Sequence, residues 1–161
     1  MLVVADASPL VALINMEEID VLPILFEHVV IPPEVAAELR SPGRPRAVGE
    51  FMSHRPDWLT ERAPVGTEPI PGLHPGEAAA ISLARELGAD LLLIDESRGR
   101  RAARERRLAF TGTVGVLELA AERGLLDLPQ AFARLKGTDF WISHELLDQR
   151  LAHFRSKRRP S

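Results

Sequence analysis

GEAAAISLARELGADLLLIDE, residues 76–96, decides the fold. Its first half places Ala80, Ile81, Ala84 and Leu87 three and four residues apart, the spacing of one helix face. Gly88 then stands where helices commonly close in the left-handed conformation. Residues 91–94 are apolar without polar alternation, which suits a strand buried on both faces. Asp95 and Glu96 follow at once. A helix, a glycine stop, a doubly buried strand and an acid at its end make up one unit of an α/β protein.

Similar units lie on either side. Residues 2–5 are a short apolar run, with Asp6 one residue beyond it. Ser8 fits an N-cap and Pro9 the first helical position, so a helix is expected from there to about residue 16. Further helices are expected at 19–26, 33–39 and 47–54, a strand at 29–31 and an edge strand at 58–63. Pro64, Gly66, Pro69, Pro71, Gly72 and Pro75 make residues 64–75 a loop. Beyond Asp95 come a helix at 98–107, a strand at 109–110, and helices at 114–123, 129–135 and 143–154. The expected architecture is three-layer α/β/α with a mostly parallel central sheet. One domain is expected over residues 1–154, followed by a disordered basic tail at 155–161.

The chain has 161 residues and no Cys, which rules out disulfides and thiolate metal sites. Any metal must be held by oxygen or imidazole. No apolar run is long enough for a membrane span, and the start lacks a signal-peptide pattern, so a cytoplasmic protein is expected. The net charge is −3, but it is unevenly spread. Residues 98–107 carry +5 and residues 155–161 carry +4, leaving −12 on the rest. That fits a cation site beside a polyanion-binding surface, or simply a solvated helix face and a tail.

Asp6 and Asp95 both fall just past strand ends, the edge at which open α/β sheets bind ligands. Glu77 precedes Ala80 and Ile81 by three and four residues, so it shares their inward face. An acid at a helix N-terminus is also favourable with no partner at all, and both readings of Glu77 stand. Glu38 lies near the wrong end of its helix for that effect, and an ordinary exposed acid accounts for it. Converging carboxylates repel and raise one another's pKa, and a divalent cation resolves the conflict. Hard oxygen ligands suit Mg²⁺ or Mn²⁺ better than Zn²⁺.

These residues resemble the PIN-domain family, in particular a VapC-like branch of toxin-type nucleases. The resemblance is carried by VVADASPL, IPPEVAAEL, PGEAAAISLARELGADLLLIDE and FTGTVGVLELA, over roughly residues 1–125. ISHELLDQRL near the end resembles a closing helix of that branch. Asp6, Glu38, Glu77 and Asp95, spaced by 32, 39 and 18 residues, occupy the positions of the family's acid quartet. The resemblance implies a Mg²⁺- or Mn²⁺-dependent ribonuclease, with Asp6, Glu77, Asp95 and the longer Glu96 as ligands. It assigns supporting hydroxyls to Ser8, Thr111 and Thr113. It further implies RNA as substrate, the toxin role of a type II toxin–antitoxin pair, a small antitoxin protein as partner, and a homodimer. Leu10, Leu13, Ile14, Leu22 and Leu25 offer apolar surface for that dimer or for the core. Two departures stand out: Asp95-Glu96 where the branch often has two Asp, and Glu77 where many VapC-type toxins have Asp.

Arg100, Arg104 and Arg107, at i, i+4 and i+7, are expected on one helix face, either for phosphate contact or as a solvated face. The five His show no metal-ligand spacing, and His74 reads as a loop or cap residue. Trp58 and Trp141 are expected in core or interface packing, with base stacking as the alternative. Two other functions compete with the nuclease. A non-catalytic PIN-like module would bind RNA or protein without cutting. A phospho-acceptor domain wants a Lys after a later strand, and TGTVGV after Phe110 offers none.

Overall fold

The computed structural model describes residues 1–158. Five short strands, β1 (Val3–Ala5), β2 (Val29–Ile31), β3 (Leu59–Glu61), β4 (Leu91–Leu93) and β5 (Phe110–Thr111), form one sheet. Their order is β3-β2-β1-β4-β5, and every pairing is parallel. Parallel neighbours need crossover connections, and helices supply them. The chain builds outward from β1 through β2 to β3, then returns to the other side of β1 for β4 and β5. The crevice beyond the carboxyl ends of β1 and β4 is therefore a topological switch point.

Alternate strand residues divide between two cores, as the period of two requires. Val3, Ala5, Val29, Ile31 and Leu93 belong to the larger one. There they pack with α1 (Ala7–Asn15), α2 (Val21–Phe26), α7 (Thr113–Glu122), α8 (Leu128–Lys136) and α9 (His144–Arg158). Helices α3 (Pro33–Leu39) and α4 (Arg46–Ser53) add Val35, Leu39 and Val48 to it. Val4, Val30, Leu92 and Ile94 face the other way. They meet Ala80, Ile81, Leu83 and Ala84 of α5 (Pro75–Leu87), and Ala102 and Ala103 of α6 (Ser97–Glu105). This is the three-layer α/β/α arrangement, with all strands parallel. Helix α5 ends as its sequence indicates: Gly88 is left-handed at φ 61°, and the Ala89 N–H reaches back to the Ala84 carbonyl at 2.9 Å.

Several expectations change. Helix α1 begins at Ala7 with Asp6 as its N-cap residue, so Ser8 is an exposed second-position residue rather than the cap. The reason lies in the sheet. The Asp6 N–H donates to the Leu93 carbonyl at 2.9 Å, which holds Asp6 extended until the helix starts. Arg107 lies beyond α6 with φ 59°, so it does not continue the face of Arg100 and Arg104. Leu10, Leu13, Ile14 and Leu22 are buried, and Leu25 packs against the same core, so they are core rather than dimer surface. Trp58 packs as expected, its ring centroid 6.1 Å from that of Phe51. Trp141 does not: it is 92% exposed. Helix α9 continues through residues 155–158, the first part of the expected disordered tail. Residues 159–161 lie outside the described residues. Among the described residues no helix is long and apolar enough to cross a membrane.

Candidate active site and metal centre

The register of β1 on β4, Ala5 beside Leu93, carries Asp6 and Asp95 past the ends of adjacent strands. Helix α5 then runs its N-terminus into the same crevice. Gly76 in its first turn packs against both neighbouring acids. A Cβ there would stand 3.5 Å from Val35, 3.7 Å from Asp6 Oδ1 and 3.8 Å from Glu38 Oε2, so Asp6 and Glu38 converge over that glycine. Glu77 follows it and turns inward, only 4% exposed. The structure thus brings Asp6, Glu38, Glu77 and Asp95 to the wall of one cleft of about 1260 Å³. Glu96, Ser8, Thr111 and Arg100 line it too.

The four acids are not equivalent. Among the described residues, Asp6, 5% exposed, has no hydrogen-bond partner on Oδ1, and Glu77 has none on Oε2. Burial, with smaller contributions from Glu77, Glu38 and Asp95, pushes the Asp6 carboxyl up to about 7 against the pull of the Ala7 N–H. Burial likewise raises Glu77, with Glu96 adding to the rise and the His74 N–H opposing it. Asp95 is raised by burial but held back by two bonds from Thr113 and by the Arg100 charge. Thr113 is fully buried, and its N–H and hydroxyl reach the two Asp95 oxygens at 2.7 and 2.8 Å. Of the three hydroxyls expected to support the acids, Thr113 is the one bonded to one of them. Glu38 is half-buried and paired with Arg44 at 3.6 Å. Arg44 therefore offsets part of the repulsion between the converging acids at Glu38.

Two buried, orphaned carboxylate oxygens fit a hard divalent cation. Each costs free energy while ionised and unpaired, and a cation removes that cost. Oxygen donors on a crevice with room for water suit Mg²⁺ or Mn²⁺.

Arg100 and Arg104 place their guanidinium carbons 5.2 and 5.3 Å from the Phe110 ring centroid. The ring holds both cations on one side of α6, with Arg100 on the cleft wall. The same cleft is lined by residues that the sequence reading missed. Glu118 of α7 is buried and accepts a hydrogen bond from Arg150 of α9. Trp141, named from the sequence, lines the cleft as well. His74 was passed over as a cap. It is the N-cap residue of α5, but it also stands with Glu77 and Glu96. Its place three residues before an inward-facing acid was the available signal. Arg44, arriving after the Ser41-Pro42-Gly43 turn, left no comparable pattern.

The parallel α/β/α sheet carries an acid cluster at its switch point, an arrangement that suits a cation-dependent site. The chain belongs to the PIN-domain family: the family described as DUF3368, PIN domain, matches residues 2–156. PIN domains typically use divalent metals. Among solved structures, it is similar to a PilT N-terminus domain protein from the hyperthermophilic archaeon Sulfolobus solfataricus. The two share 18% identity at a TM-score of 0.53, over 72% of this chain and 90% of that one. That likeness concerns the fold. No curated protein matches the chain.

Proposed function

We propose that this protein is a Mg²⁺- or Mn²⁺-dependent endoribonuclease. The observation that carries the reading is the pair of orphaned, buried carboxylate oxygens, Asp6 Oδ1 and Glu77 Oε2, inside the acidic cleft. Asp6, Glu77 and Asp95 would hold the ion, with Glu38 beside them. Such an ion, when bound, activates water and offsets the charge of an in-line displacement at phosphorus. The chain's own contribution is positioning. Thr113 fixes the direction of Asp95, and Arg100 on the cleft wall is placed to meet a phosphate. A cleft of about 1260 Å³ exceeds the roughly 300–1,000 Å³ common for small-molecule pockets, which favours a polymer.

The test is cleavage of single-stranded RNA in Mg²⁺ or Mn²⁺, with and without EDTA. Wild type should cut only with metal, and the Asp6→Asn, Asp95→Asn double variant should not cut. Equal cutting by the two proteins would sink the assignment. The resemblance to VapC-type sequences extends the proposal to a cytoplasmic, homodimeric toxin of a type II pair, held in check by a small antitoxin protein. Arrest of growth on expression of the chain, absent from the double variant, is the expected result. If both arrest growth alike, the arrest does not come from this site.

One observation favours a second reading, a non-catalytic RNA-binding module. Thr113 engages both oxygens of Asp95 and Arg44 pairs with Glu38, so two of the four acids already have partners. That reading expects RNA binding to survive loss of the acids and to fail when Arg100 and Arg104 are replaced.

A further inference from the structure

Glu77 faces two ways. Its Oε1 accepts the His74 N–H at 3.3 Å, which ties the acid into the start of α5. Its Oε2 is directed at the first turn of α6, where it would lie 2.9 Å from a Cβ on Gly99. That oxygen has no hydrogen-bond partner, and the residue is 4% exposed. Glu96 is the N-cap residue of the same α6 turn, and none of its own carboxylate oxygens caps the helix. His74 caps α5 from the other side. One ligand atom each from His74, Glu77 and Glu96 lies within 4.8 Å of the other two.

We propose that His74, Glu77 and Glu96 form a second cation position at the mouth of the cleft, one that takes a transition-metal ion in preference to Mg²⁺. The chemistry of the donors sets the preference. Imidazole nitrogen is a good ligand for Mn²⁺, Co²⁺ or Zn²⁺ and a poor one for Mg²⁺, which demands oxygen and keeps its waters. The position is separate from the Asp6 end of the pocket, where every donor is a carboxylate. Glu77 belongs to both ends: it adds to the charge felt by Asp6, and Glu96 adds to the charge felt by Glu77. His74 and Glu96 are exposed and Glu77 is buried, which gives the ion an open side toward solvent. Binding here does not depend on RNA cleavage, so the two proposals can fail separately.

The experiment titrates the metal-free full chain with Co²⁺, Zn²⁺ and Mg²⁺, counting bound ions by equilibrium dialysis and following the imidazole signals by NMR. His74→Gln identifies the His74 signal. Co²⁺ should broaden that signal ahead of those of His28, His54, His144 and His153, and Mg²⁺ should leave it unmoved. His74→Gln and Glu96→Gln should each weaken Co²⁺ binding at least about tenfold, the scale on which loss of a supporting group is felt at metal sites. His74→Gln should keep the Mg²⁺-induced rise in melting temperature that reports the Asp6 end. Two exposed positions are replaced, so the variants should melt, without metal, close to wild type. Unchanged Co²⁺ affinity and stoichiometry in both variants would overturn the second position and leave the nuclease proposal untouched. Loss of RNA cleavage with Co²⁺ binding intact would do the reverse.

Discussion

Thr113 holds Asp95 by both oxygens, its N–H at 2.7 Å from Oδ1 and its hydroxyl at 2.8 Å from Oδ2. One residue at the start of α7 therefore sets the direction of a carboxylate at the end of β4. The two elements are tied independently, because β5 leads into α7 and pairs with β4. A hydrogen bond to a charged group is worth about 1.5–3 kcal/mol, enough to fix one rotamer against its alternatives.

Thr113→Val keeps the shape and the N–H bond but removes the hydroxyl. RNA cleavage should fall about tenfold through kcat, with KM little changed, the pattern of a group that places a ligand rather than binds substrate. Thr113→Ser should restore most of the rate. If Thr113→Val cuts at the wild-type rate, the hydroxyl has no part in placing Asp95.

The raised Asp6 carboxyl makes the metal-free protein sensitive to pH. Between its ordinary 3.8 and about 7, the folded chain keeps a proton that the unfolded chain has released. Stability contributed by this group therefore falls as pH rises through that window, by at most about 4 kcal/mol. Glu77 and Asp95, also raised, act in the same direction. In EDTA, Asp6→Asn should be more stable than wild type at pH 8 and nearly equal to it at pH 4. Mg²⁺ or Mn²⁺ should stabilise wild type and not the variant. Urea titrations at the two pH values check this, and a difference that does not grow with pH would show that Asp6 is not held protonated by its site.

The parallel sheet was legible because its three central strands, β2, β1 and β4, are uniformly apolar and its stops are glycine and proline. Asp6 and Asp95 were legible because a strand end needs no partner to be recognised. Glu77 could be phased from Ala80 and Ile81. The position of Glu38 came from the resemblance, since its approach to Asp6 runs over Gly76, a packing of α3 against α5 that neither segment encodes alone. The N-cap was misplaced for a similar reason. Ser8-Pro9 is a sound local signal, but the ladder bond from Asp6 to Leu93 fixes where the helix starts. The helical course of residues 155–158 and the pairing of Arg150 with Glu118 depend on where α9 docks, which local spacing does not specify.

Two glycines at the cleft should answer alanine differently. At Gly76 an added Cβ meets neighbours at 3.5–3.8 Å, ordinary contact distances. At Gly99 it would stand 2.9 Å from Glu77 Oε2 and collide with the Ile94 side chain. Gly76→Ala should fold with wild-type stability or better, since alanine favours the helix by about 1 kcal/mol. Gly99→Ala should lose about 1–3 kcal/mol to overpacking, less the same helix gain, and should weaken metal binding by displacing Glu77. Thermal melts with and without Mn²⁺ separate the two effects. Equal stability of the two variants would mean that α6 shifts freely away from β4.

Trp141 is 92% exposed and lines the same cleft as Arg100, whereas Trp58 is packed against Phe51. Leaving so large an apolar ring in water offers no stability, but a flat ring beside a cationic wall can stack on a base. With EDTA present to prevent cutting, a single-stranded RNA oligonucleotide should quench the exposed, red-shifted part of the tryptophan emission. Trp141→Ala should abolish that response and weaken binding by about 1–3 kcal/mol, the range for loss of one base–aromatic stack. Melting temperature should hardly change, because the side chain is outside both cores. The rest of the emission, from Trp58, should stay constant through the titration. Quenching that persists in Trp141→Ala would place the RNA elsewhere on the protein, and unchanged affinity would remove Trp141 from the binding surface.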